Sequence, residues 1–150
     1  VCQQQLPFAL EAHALVAREM AQLRHLEKHE LEEAARACVR RWAAINLLLH
    51  AQLAPNGVAC RASEQQGCAL ARISVNWHGA RAHSRTSPVY GTAISAASSI
   101  ASSADASASH AAARAVAVAL QQHGSGHGAS VLGALGAMLD LPRESVTDIL

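Results

Sequence analysis

LEEAARACVRRWAAINLLL, residues 31–49, places Leu31, Ala35, Cys38, Trp42, Ile45 and Leu49 at successive intervals of 4, 3, 4, 3 and 4. On a helix that spacing lines all six side chains along one stripe, the seam of a helix that packs lengthwise against another. Upstream, Ala9, Val16, Met20 and Leu23 follow the same repeat in a different phase, and the slip falls within RHLEKHE at residues 24–30. Residues 8–53 therefore read either as two helices or as one long helix whose buried face rotates at the slip. Pro7 can open a helix because the first turn has no use for its missing N–H, and Pro55-Asn56-Gly57 closes it as a breaker and turn.

The rest of the chain carries weaker helical signals. Ser63-Glu64-Gln65-Gln66 has the form of a capping box, which predicts a short helix through Val75 with Ser63 as its N-cap. Residues 76–91 combine turn formers with no periodicity and read as an irregular loop. Residues 92–109 are mainly Ala and Ser, a helix if packed and a linker if not. A helix over 105–122 has Asp105 as its expected N-cap, and a Gly-rich turn at 123–128 separates it from a helix over 130–140 and a last one over 142–150. The expected fold is all-α, a helical bundle or paired helical hairpins. It divides into an N-terminal hairpin at 1–57, a middle segment at 58–104 and a C-terminal hairpin at 105–150.

Composition narrows the function classes. Of the 150 residues 34 are alanine, and Phe8, Trp42, Trp77 and Tyr90 are the only aromatics, too few for the alternating faces of a β-sandwich or barrel. No window of about 18 residues is apolar throughout, which excludes a membrane-spanning helix. The formal net charge of +1 gives no general attraction to nucleic acid or to a membrane surface. Four cysteines without Cys-x-x-Cys spacing are expected as buried thiols, in an intracellular protein. A first residue of Val is what a processed product or fragment would show.

These features point to a non-enzymatic interaction or scaffold subunit, with no cofactor, that packs against a protein partner or a second copy of itself. The expected contact residues are Leu31, Cys38, Trp42, Ile45 and Leu49 on the seam, with Trp77 and Tyr90 from the loop. A second reading is nucleic-acid binding, because residues 65–104 contain no acid but hold Arg72, Arg81 and Arg85. A third is a metal site. His25 and His29 are four apart, and Glu33 follows one turn later, so on one continuous helix the three would share a side. Completing it requires a ligand from elsewhere, such as His50, His78, His83 or His110.

Two family resemblances lie in the C-terminal region. Residues 135–150 resemble a bacterial-type helix-turn-helix, with Gly136 at the helix crossing and Val146 and Ile149 facing inward. That resemblance implies a recognition helix presenting Arg143, Ser145 and Thr147 to DNA, although Asp140 stands at the turn position the family fills with Gly. Residues 108–150 are also similar to the GRIP domain of golgin tethers, with Ala137-Met138-Leu139-Asp140-Leu141 followed by Pro142-Arg143-Glu144. This likeness implies dimerisation and docking to a small GTPase, and it lacks the family's tyrosine in the first helix.

Overall fold

The computed structural model describes residues 4–84 and 100–149. Within them the chain forms six helices and no strand: α1 (Leu6–Leu23), α2 (Lys28–Leu53), α3 (Gly57–Ser84), α4 (Ile100–His123), α5 (Gly128–Met138) and α6 (Arg143–Ile149). The fold is an all-α bundle, as the heptad seam predicts. Pro7 lies in the first turn of α1, and the chain breaks at 24–27, where the two apolar phases meet. Of the two readings of residues 8–53, the structure takes the pair of helices.

α3 differs most from expectation. It is one 28-residue helix, so residues 76–84 are helical, and only 85–91 of the expected loop lie outside the described residues. Its cap is Asn56, whose Oδ1 accepts the Ala59 N–H at 3.1 Å, and Ser63 is an interior residue of the helix. The buried face of α3 consists of Cys60, Ser63, Gly67, Ala71, Ser74 and His78, a helical stripe built from small and polar side chains. Such a stripe has full periodicity and almost no large apolar group, which is why it reads as turn-forming sequence. α4 likewise starts earlier than expected, and Asp105 is an exposed residue within it.

α5 is the central element, with nine of its eleven residues buried. Backbones approach it closely. A Cβ on Gly133 would overlap the Ala9 carbonyl oxygen of α1, and one on Gly67 of α3 would overlap the Gly126 carbonyl oxygen in the turn before α5. The C-terminal end of α5 closes with two bonds, from Leu141 N–H to the Gly136 carbonyl at 2.9 Å and from Asp140 N–H to the Ala137 carbonyl at 3.1 Å. Asp140 takes a left-handed φ of 56° there, in a position that usually holds Gly, and Val146 of α6 then reaches the small surface at Gly136.

One apolar cluster joins the elements, running from Val16 and Met20 of α1 through Trp42 of α2 and Val116 and Leu120 of α4 to Val131 and Met138 of α5. α1 packs on α5, α2 on α4, and α3 on both α4 and α5, so the interfaces run between the ranges 1–57, 58–104 and 105–150. Between α1 and α2, buried Glu19 accepts from Arg41 Nη2 at 2.6 Å, and Arg18 lies 3.6 Å from its other oxygen. The pair answers the desolvation of the carboxylate.

Candidate functional site

The seam that decides the fold is used inside the chain. Leu31, Cys38, Trp42 and Leu49 are buried and Ile45 is half-buried. The expectation that Trp42 anchors a partner is therefore corrected. Its ring is 1% exposed, its Nε1–H donates to the Ser130 carbonyl of α5 at 3.1 Å, and His123 of α4 packs edge-on with ring centroids 5.7 Å apart. The physical reason is that α1, α4 and α5 supply, within one molecule, the apolar partners such a seam needs.

Trp77 has the opposite placement. It is 51% exposed and Ile73, one turn earlier on α3, is 56% exposed. The two edge an apolar cleft between α3, α5 and the start of α6, with a volume of about 200 Å³ and walls formed by Leu70, Leu135, Leu139 and Leu141. Of the basic residues, Arg72 is exposed on α3. Arg81 lies in the last turns of α3, where only the backbone is described, and Arg85 and Tyr90 lie outside the described residues.

A second concentration of chemistry lies where α2 ends, α3 begins and α5 starts. His50 is in the last turn of α2, Cys60 and Glu64 are four apart on α3, and His127 is the N-cap residue of α5. His50 Nδ1 lies 3.2 Å from His127 Nε2, 3.3 Å from Glu64 Oε1 and 3.6 Å from Cys60 Sγ. The segment around His127 is held by its neighbours. Asn46 Oδ1 accepts the His127 N–H at 2.8 Å and the Ser130 hydroxyl at 2.9 Å, and Ser63 Oγ accepts the Gly128 N–H at 3.2 Å. Burial holds the His127 imidazole below its ordinary range; Glu64 opposes that effect and His50 adds to it.

His25, His29 and Glu33 do not share one continuous helix. His25 falls in the turn between α1 and α2, His29 in the first turn of α2, and both are exposed. The Glu33 carboxylate accepts from Arg40 at 2.9 Å and lies 3.6 Å from Arg36, and these charges, Arg40 first, hold it below the usual carboxylate range. From the sequence His50 is named only as a supplementary ligand, and Cys60, Glu64 and His127 not at all. The readable signal is Cys60-x-x-x-Glu64, one turn past a break and facing back toward a His at the end of the preceding helix.

In the helix-turn-helix likeness α5 would lie across a DNA backbone; here it is enclosed, and α6, seven residues long, packs through Val146. Comparison of the chain with family models, with curated proteins and with solved structures found no match.

Proposed function

We propose that this chain is a non-enzymatic helical interaction subunit that pairs with a second copy of itself through the α3 face carrying Ile73 and Trp77. One observation supports the reading: two large apolar side chains, both more than half exposed, stand one helical turn apart beside an apolar cleft. Apolar groups gathered around a concave surface are a feature of contact sites, and a half-exposed Trp is the residue type most often dominant in them. The patch supplies both halves of a contact. In a two-fold arrangement the Trp77 indole of each copy enters the cleft of the other, so one surface complements itself. With a net charge of +1 the copies repel each other little.

The test is sedimentation over rising protein concentration. Wild-type mass climbs toward that of a dimer, and Trp77→Lys raises the dissociation constant at least about tenfold. Because Trp77 lies at the surface, the variant keeps its helicity and unfolding midpoint. A wild-type chain that stays monomeric throughout, or a variant that dimerises equally well, overturns the reading.

A further inference from the structure

The geometry points to a transition-metal site at His50, Cys60, Glu64 and His127, and we propose that it holds Zn²⁺ and fastens the ends of α2, α3 and α5 together. The four side chains come from three elements, with His127 more than sixty residues beyond the others, yet each offers one ligand atom and these atoms all lie within 4.8 Å of one another. Only Cys60 and Glu64 are brought together by local helix geometry, through their spacing of four on α3. The other two arrive through tertiary packing.

Hydrogen bonding alone does not satisfy such a group. His50 Nδ1 is within 3.2–3.6 Å of all three other ligand atoms, and a ring nitrogen carries at most one proton. Donating to the Glu64 carboxylate leaves it with no lone pair for the Cys60 thiol and no proton for His127 Nε2. Accepting from Cys60 leaves it facing the Glu64 oxygen acceptor to acceptor. A cation at the centre removes the conflict, because every one of these atoms then points a lone pair at it. Zinc–ligand bonds of 2.0–2.3 Å in a tetrahedron set ligand atoms about 3.3–3.7 Å apart. The three separations measured from His50 Nδ1 already fall at or within about 0.1 Å of that range.

Ligand chemistry selects the class of metal. Two imidazoles and a thiolate are borderline to soft donors that favour Zn²⁺ or Co²⁺ over Mg²⁺ or Ca²⁺, which require a shell of oxygens. Charge is consistent with burial. A thiolate and a carboxylate together neutralise a divalent ion, so the occupied centre adds no net charge to the interior. The Cys60 thiol proton leaves to solvent as the Zn–S bond forms. Cys60 and His127 are buried and form the inner side of the site; Glu64 is half-buried and His50 exposed, which gives an ion a route in from solvent. The hydrogen bonds from His127 N–H to Asn46 and from Gly128 N–H to Ser63 fix the backbone of the inner ligand before any metal arrives.

Cobalt titration of the chelator-treated full chain tests the assignment. One equivalent of Co²⁺ gives the visible absorption of a tetrahedral centre together with a sulfur-to-cobalt charge-transfer band, and Zn²⁺ displaces it while raising the thermal midpoint of unfolding. Cys60→Ser removes the charge-transfer band. His50→Ala alters an exposed residue, leaves the apo fold and its helicity intact, and weakens Co²⁺ binding at least tenfold, whereas His25→Ala and His29→Ala change nothing. Absence of a tetrahedral spectrum at one equivalent overturns the assignment, as does a wild-type spectrum that survives both Cys60→Ser and His50→Ala. The sedimentation of Trp77→Lys tests the pairing reading separately, because that variant keeps all four ligands.

Discussion

Cys38 shows how a single residue can carry a testable consequence of burial. Its thiol is enclosed on the inner face of α2, and desolvation pushes it up to about 11 from the ordinary 9.0; the Glu19 carboxylate adds to the rise and Arg41 opposes it. Below pH 9 the folded and unfolded chains both keep this proton, and the contribution is fully present. As pH climbs from 9 toward 11 the unfolded chain loses a proton that the folded chain retains, so stability falls, by about 2 kcal/mol over the window. Urea unfolding at the two ends of the window should show that decline in the wild type and a smaller one in Cys38→Ala; equal slopes would remove Cys38 as its source. The seam position of Cys38 was legible from spacing alone. Its neighbour Glu19 was not, because an acid among alternating charges reads as solvated surface until the α1–α2 crossing encloses it.

Among the elements, α5 depends most on residues outside itself. It carries three glycines and no charged side chain, and its N-cap residue makes no capping bond of its own. Asn46 of α2 and Ser63 of α3 supply the acceptors instead, at 2.8 Å to the His127 N–H and 3.2 Å to the Gly128 N–H. Asn46→Ala should therefore cost about 1–3 kcal/mol, since it strands both the His127 N–H and the Ser130 hydroxyl from their shared acceptor, although Ser130 still donates to the His127 carbonyl at 2.9 Å. Ser63→Ala removes one neutral cap and should cost about 1 kcal/mol. Chemical denaturation of the two variants measures both, and a cost for Asn46→Ala no larger than that for Ser63→Ala would refute this ordering. This dependence also explains what was legible at the level of elements. α1 and α2 announce themselves through large apolar residues at helical spacing, whereas the inner face of α3 is Cys, Ser, Gly, Ala and His at the same spacing. A reading keyed to apolar volume misses such a face, and with it the metal-ligand pair Cys60 and Glu64 on that helix.

At the scale of the whole molecule, the packing makes the two ends of the chain interdependent. α1 lies along α5, with Gly133 admitting the Ala9 backbone, so the first helix of the sequence is covered by the fifth. Trp42 is packed among α2, α4 and α5 at once, through Ser130, His123 and the surrounding cluster. The sequence shows most larger apolar groups at its two ends and Ala and Ser between them, a pattern that reads more as two helical units joined by a weakly cored stretch than as one globule. What joins them is the shared apolar cluster, closed up by backbone approaches at small residues, Gly133 against Ala9 and Gly67 against Gly126, and those approaches leave almost no hydrophobic signal in one dimension. If that packing fuses the halves, unfolding is a single transition. Trp77→Phe isolates Trp42 as the only tryptophan, and its fluorescence then reports the junction while circular dichroism reports total helix. The two urea curves should share one midpoint and one slope. A fluorescence transition preceding the loss of helicity would mean that the α5 junction opens while the N-terminal helices stay folded, and the end-to-end packing would then not hold the molecule together as one cooperative unit.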